Sequence, residues 1–426
     1  MEITRVNGLK GEITVPGDKS ISHRSIMMGA IADGDTEVTG FLMGQDCLST
    51  IECFRKMGIE IDVSPDIVTV HGKGLHGLKE PAGILNVGNS GTTMRLISGI
   101  LSGQPFTTTI DGDESIRKRP MRRIIEPLTR MGVKITSISN NGCAPLQVSG
   151  EYRLKGINYV SNVASAQVKS AVLFAGLYAD SETTFTEPHL SRNHTEIMLK
   201  SFGVNIKTSG STCTITPGDG LHGHKIYVPG DISSAAYFLV AGLITPDSEI
   251  VLKNVGVNPT RTGILTIAKK MGADIELINE TNIDGRLSAD IVVRSSELKG
   301  TTIKGDIIPF LIDELPVISV MAAFAKGKTV IKDARELKVK ESDRIKYMVN
   351  NLNAMGAEAE GTEDGMIIHG GKPLHGAVIE TANDHRIAMS MAVAGLGADG
   401  VTRIPDYKCV DISYPGFFNT LELLKH

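Results

Sequence analysis

Two stretches of the chain begin alike and then part. V-P-G-D-K-S-I-S-H-R runs from Val15 to Arg24, and V-P-G-D-I-S-S-A-A-Y runs from Val228 to Tyr237. The first continues into Lys19, Ser20, His23 and Arg24; the second continues into serines and alanines. A polar turn before a run of small apolar residues reads as a helix start, whose unpaired N–H groups and dipole favour an anion. Comparable stations recur along the chain. G-N-S-G-T-T-M-R offers Asn89, Ser90, Gly91 and Arg95, S-A-Q offers Ser165, Ala166 and Gln167, and N-D-H-R offers Asp384, His385 and Arg386. Further cations stand in R-K-R-P (Arg119), L-S-R-N-H (Arg192) and K-V-K-E-S-D-R (Lys340 and Arg344). The divergence of equivalent helix starts into several cations and a few acids reads as a built anion site. Acids sit among these cations, with Asp313 and Glu314 in F-L-I-D-E-L-P and Glu341 in K-V-K-E-S-D-R. A receptor that only holds anions gains nothing from carboxylates, whereas proton transfer needs them.

Each station taken singly has a plainer reading. A lone Arg or Lys at a helix start is ordinary surface charge, and K-V-K-E-S-D-R alone is a solvated helix face. N-S-G-T-T is a capping and turn signal. His76, His222 and His375 fall in a repeated Leu-x-Gly punctuation, and His385 suits a cap or a structural place better than acid–base work. H-E-x-x-H spacing and the phosphate-cradling glycine fingerprints are absent, so neither a metal nor an organic cofactor is expected. What lifts the cations above surface charge is that they occupy the same station in successive repeats.

Those repeats must position the stations. The Leu-Lys/His-Gly step recurs at Gly11, Gly77, Gly156, Gly223, Gly300 and Gly376, roughly every 70 residues. Each is followed by a β-prone run, such as E-I-T-V, a polar turn and a helix of small apolar residues such as R-S-I-M-M-G-A-I-A. A strand-like link and an amphipathic helix come next. That helix ends in a glycine step (K-M-G-I-E-I, R-M-G-V-K-I, S-F-G-V-N-I, K-M-G-A-D-I) suited to a C′ cap, and two alternating strands follow. The fold class is α/β, with six such units split into two domains of three. The domains are placed at residues 1–15 with 229–426, and at 16–228, joined by two crossover segments that act as a hinge. The sixth unit stops at Y-P-G-F-F-N-T-L-E-L-L-K-H without its strand pair, so residues 1 to about 14 are expected to pair with the C-terminal half and cover an open sheet edge.

Composition narrows the class further. A net charge of −4 over 426 residues argues against a nucleic-acid partner. The N-terminus lacks the apolar region of a signal peptide, and no apolar run is long enough for a membrane span. Five scattered cysteines without C-x-x-C spacing suit a reducing compartment. A cytoplasmic monomer acting on small molecules is expected.

P-G-D-K-S-I-S-H-R, G-N-S-G-T-T-M-R, R-K-R-P-M, K-V-K-E-S-D-R and N-D-H-R, in this order across the whole chain, resemble the 5-enolpyruvylshikimate-3-phosphate synthases, an enolpyruvyl transferase family. The resemblance implies two domains of three α/β units that close on the substrates. It also implies transfer of the enolpyruvyl group of phosphoenolpyruvate to the 5-hydroxyl of shikimate 3-phosphate, with release of phosphate, in aromatic amino acid biosynthesis. It assigns Lys19, Ser20, Arg24, Ser165, Ala166, Gln167 and Arg192 to shikimate 3-phosphate, with Asp313 and Lys340 on its hydroxyls. It assigns Lys19, Gly91, Arg119, Gln167, Arg344 and Arg386 to phosphoenolpyruvate. Asp313 is the implied base on the 5-hydroxyl, Glu341 the group exchanging a proton at C3, and Lys19 the aid to phosphate departure. The chain departs from the pattern at Ile412, where many members carry a lysine, and at Leu96, where some carry proline. The sister transferases that use UDP-N-acetylglucosamine are less similar, since their cysteine-bearing loop has no counterpart around G-D-E-S-I-R-K-R-P. Against a non-catalytic anion-binding repeat protein stand Asp313 and Glu341.

Overall fold

The computed structural model describes residues 1–218 and 220–425. The chain folds as two compact units, one of Met1–Pro16 with Pro229–His426 and one of Gly17–Val228. Each has its own apolar core. Within Gly17–Val228 the helices are α1 (Lys19–Ala30), α2 (Gln45–Lys56), α3 (Gly91–Leu101), α4 (Arg122–Arg130), α5 (Ala166–Gly176) and α6 (His194–Ser201). The other unit contains α7 (Ile232–Ile244), α8 (Gly263–Lys270), α9 (Ile308–Leu311), α10 (Leu315–Phe324), α11 (Arg344–Ala354), α12 (His385–Leu396) and α13 (Phe417–Leu423).

Two kinds of helix alternate. The first helix of each repeat (α1, α3, α5, α7, α10, α12) is buried along almost its whole length. This is why its residues are small and apolar on every side. Small residues also let such helices approach closely: a Cβ on Gly99 of α3 would lie 2.2 Å from the Ala171 carbonyl of α5. The second helices are amphipathic, and the glycine steps at their ends take positive φ at Gly58, Gly132, Gly203, Gly272 and Gly356. The left-handed cap expected from K-M-G and its relatives is therefore present.

The sheets repeat one order. In the second repeat, Leu85–Asn86 runs parallel to Thr107–Asp111, which pairs antiparallel with Leu146–Ser149, itself antiparallel to Lys134–Ser137. The third repeat (Asn158–Val160, Thr183–Thr186, Thr212–Ile215, Ile206–Ser209) and the fifth (Thr302–Ile303, Gly327–Ile331, Met366–Gly370, Glu358–Gly361) have the same order. The sixth is completed from the far end of the chain, as its missing strand pair implies. Glu2–Thr4 pairs antiparallel with Val401–Arg403, with Ile3 opposite Thr402.

E-I-T-V follows the first Leu-Lys-Gly step, yet Lys10–Thr14 lies parallel to Glu249–Gly256 in the sheet of the fourth repeat, with Ile13 opposite Leu252, in keeping with the expected pairing of residues 1 to about 14 with the C-terminal half. The first repeat instead takes Lys225–Tyr227, parallel to Ala32–Thr39. In these two repeats the leading strand and the helix after it belong to different units, because each V-P-G-D turn carries the chain from one unit into the other. Among the described residues, no single helix is long and apolar enough to cross a membrane.

Candidate active site

In Gly17–Val228 the predicted residues gather at the N-termini of α1, α3 and α5. Asp18 caps α1, its carboxylate accepting from the Ile21 N–H at 2.8 Å. Lys19, the first residue of the helix, sets its ammonium against Asp46 in the first turn of α2. Ser20 is half-buried beside it. One turn on, Arg24 is buried and triply oriented. Its Nε donates to Thr195 Oγ1 at 2.7 Å, one terminal nitrogen to Ser170 Oγ at 2.8 Å and the other to the Ser20 carbonyl at 2.9 Å. Arg24 is thereby tied to α5 and α6.

Ser90 caps α3 by accepting from the Thr93 N–H at 3.0 Å, leaving Gly91 as the first helical residue. Two guanidinium groups close over it: a Cβ at Gly91 would lie 2.9 Å from Arg95 Nη1 and 3.1 Å from Arg119 Nη1. Arg119 donates to Asn89 Oδ1 at 2.6 Å and Ser115 Oγ at 3.2 Å. Arg95 donates to Gln167 Oε1 and to the Pro120 carbonyl, and Gln167 Nε2 donates to Thr92 Oγ1 at 3.0 Å. Ser165 caps α5, so Ala166 and Gln167 open that helix next to the same arginines. Gly91, Arg119 and Gln167 thus come together, joined by Arg95 and Asn89. Arg192 stands half-buried just before α6.

Behind these N-termini runs a buried chain of side chains. His23 Nδ1 meets Thr50 Oγ1 at 2.7 Å, Thr50 meets Thr93 at 2.7 Å, and Thr93 donates to Ser90 Oγ at 2.7 Å. Burial, helped by the charges of Lys19 and Arg24, holds the His23 imidazole well below its usual pKa, so it is neutral in this chain.

The other unit gathers the remaining residues between α9 and the starts of α11 and α12. The Asp313 carboxylate lies 3.3 Å from Lys340 Nζ and 3.5 Å from Arg344 Nη1. Arg386 donates to the Asp313 backbone carbonyl at 2.9 Å. Arg344 is buried and gripped by acids: Nε meets Asp384 Oδ2 at 2.8 Å, and Nη2 meets Glu341 Oε2 at 2.5 Å. Burial works against its charge, but Asp384 and Glu341 outweigh burial and hold its pKa above the ordinary arginine value. Burial also opposes the Asp384 carboxylate, and Arg344 reverses the balance, so its pKa is lowered. Asp384 meanwhile caps α12 through the Arg386 N–H at 2.9 Å. One carboxylate therefore fixes two arginines, one through its side chain and one through its backbone.

The second V-P-G-D turn is charged after all, by a residue that inspection of the motif misses. Asp231 caps α7 and accepts from Arg261 at 3.0 Å, while Arg261 also donates to Ser233 Oγ at 2.7 Å. Ser233 in turn donates to buried Glu314, the neighbour of Asp313. Arg261 lies 30 positions after Asp231, so no local motif signals the pair. Lys408 is exposed, and Ile412 ends the short helical turn Tyr407–Ile412. Among the described residues, Glu60, Asp62 and His71 bring metal-type ligand atoms within 4.8 Å of one another. They lie on the strands Glu60–Val63 and Ile67–Lys73, and not at the helix N-termini that carry the cations.

Comparison with known proteins agrees over the full chain. The EPSP synthase (3-phosphoshikimate 1-carboxyvinyltransferase) family model matches residues 3–421. A 3-phosphoshikimate 1-carboxyvinyltransferase of Thermoanaerobacter sp. (strain X514) is 55% identical over 424 residues, covering 100% of both chains. The protein of that name from Brevibacillus brevis is 54% identical, covering 99% of each. A solved EPSP synthase structure from Acinetobacter baumannii superposes with a TM-score of 0.89 at 48% identity, covering 100% of this chain and 98% of that one. With its repeated sheets, capped helix starts and full-length likeness, the chain belongs to the EPSP synthase (3-phosphoshikimate 1-carboxyvinyltransferase) family.

Proposed function

We infer that this chain transfers the enolpyruvyl group of phosphoenolpyruvate to the 5-hydroxyl of shikimate 3-phosphate and releases phosphate, through addition followed by elimination. The observation that carries this reading is the Asp313 carboxylate set against Lys340 and Arg344, with Arg386 on its backbone. In this reading the Asp313 carboxylate accepts the hydroxyl proton while the hydroxyl oxygen attacks C2. Glu341, about one quarter exposed and hydrogen-bonded to Arg344, supplies and later removes the proton at C3. Lys19 offsets charge on the departing phosphate.

The two anionic substrates divide the remaining cations. Ser20, Arg24, Ser165, Ala166, Gln167 and Arg192 hold shikimate 3-phosphate, with Lys19 shared and Asp313 and Lys340 on the ring hydroxyls. Arg119, Arg344 and Arg386 take the carboxylate and phosphate of phosphoenolpyruvate, with Gly91 and Gln167 beside them. Each charged hydrogen bond contributes roughly 1.5–3 kcal/mol, so a handful suffices for micromolar substrates. The enzyme works on small molecules as a cytoplasmic monomer, which sedimentation at working concentration tests.

One assay tests the reaction. Phosphate release is measured from phosphoenolpyruvate with shikimate 3-phosphate, with UDP-N-acetylglucosamine, and alone. Release is expected in the first mixture only; release with the UDP-sugar in its place overturns the reading.

A further inference from the structure

Three buried ionic side chains lie outside the catalytic scheme. Lys169 of α5 sends its ammonium to Glu187 Oε1 at 2.8 Å and to Glu196 Oε1 at 2.7 Å, and the lysine and both acids are almost wholly buried. Burying three charges is costly and contributes little net stability compared with apolar packing, so the arrangement calls for a reason beyond stability. Its place in the fold supplies one. Glu187 and Glu196 bracket a single loop and the first turn of α6, and Lys169 ties both ends. Glu187 Oε1 also accepts from the Ser191 N–H at 2.8 Å and the Ser191 hydroxyl at 2.9 Å, which fixes the residue immediately before Arg192. The residue before Glu196 is Thr195, which accepts from Arg24. The residue after Lys169 is Ser170, which bonds both Thr195 at 2.6 Å and Arg24.

We propose that Lys169 is a positioning residue for shikimate 3-phosphate: its ammonium, clamped by Glu187 and Glu196, holds the loop carrying Arg192 and the Thr195 turn that orients Arg24. The proposal rests on the functional reading above, in which Arg24, Arg192 and the start of α5 bind that substrate. It follows that the clamp governs one substrate and not the other. Lys169 touches neither substrate and takes no part in the chemistry.

The test compares wild type with Lys169→Met and with the charge-neutral triple variant Lys169→Met/Glu187→Gln/Glu196→Gln, which is read instead if the single variant fails to fold. Both substrates are varied in steady-state assays, and amide hydrogen exchange is followed in residues 189–193. The KM for shikimate 3-phosphate is expected to rise about tenfold or more, the scale of one lost charged hydrogen bond. The KM for phosphoenolpyruvate and kcat stay within about threefold, and exchange in the loop quickens. A folded variant with an unchanged KM for shikimate 3-phosphate, or with both KM values rising together, overturns the proposal. Absence of phosphate release in wild type is a different result, since it removes the functional reading itself.

Discussion

The two units hold their cations in different ways. In Gly17–Val228, Arg24, Arg95 and Arg119 donate to hydroxyl, amide and carbonyl oxygens of Ser170, Thr195, Asn89, Ser115, Gln167 and the backbone, while Lys19 meets the carboxylate of Asp46. In the other unit, Arg344 and Lys340 are set among the carboxylates of Asp313, Glu341 and Asp384. Neutral acceptors aim a guanidinium without cancelling its charge, which suits the binding of an anion. Carboxylates cancel charge and add proton acceptors, which suits chemistry on a substrate already bound. The same repeat thus presents arginines bonded to neutral oxygens in one unit, and a lysine and an arginine set among carboxylates in the other.

Three substitutions bear on that contrast, in descending size of effect. Asp313→Asn keeps the shape of the acid-rich cluster and removes the carboxylate proposed as the base. Its kcat is expected to fall about 10²–10⁴-fold with KM values little changed, and a kcat near wild type would erase the distinction between the units. Asp384→Asn leaves buried Arg344 short of its main counter-charge and should destabilise the protein by about 3 kcal/mol near neutral pH. The folded pKa of Asp384 is lowered, so its contribution is present above the unfolded carboxyl value of about 3.9 and is lost as pH falls through the folded value. Denaturation midpoints of wild type and variant should therefore converge in strong acid; a gap that stays constant with pH would show that charge is not the cause. Gly91→Ala probes the neutral-acceptor cluster most gently. The new methyl would lie 2.9 Å from Arg95 Nη1 and 3.1 Å from Arg119 Nη1, both ends of flexible side chains, with Ile116 Cδ1 at 3.8 Å. A rise in the phosphoenolpyruvate KM of about 3–10-fold with kcat nearly kept is expected; no change in that KM would separate Gly91 from substrate binding.

Much of this was legible in the amino-acid order because it is local. The polar turns read as helix starts do start helices, capped within two or three residues by Asp18, Ser90, Ser165, Asp231 and Asp384, although at the last of them the cap is Asp384 and not His385, which is the first helical residue. The glycine steps with positive φ and the buried small-residue helices are equally short-range. The strand that completes the sixth repeat was legible for a different reason: a truncated copy announces what it lacks. Its pairing with Val401–Arg403 follows.

By itself, then, the sequence determined the repeating unit, the helix starts and the residue types available at each of them, since all three depend on neighbours a few positions away. Only the tertiary structure decided which groups meet. It set Glu249–Gly256 as the partner of Lys10–Thr14, placed Lys19 against Asp46, joined Arg261 to Asp231 and closed Lys169 between two glutamates. The physical reason is range. A cap is chosen by the next turn of backbone, whereas the partner of a buried charge is chosen by which helices pack together, and a single strand of sequence carries no direct record of that choice.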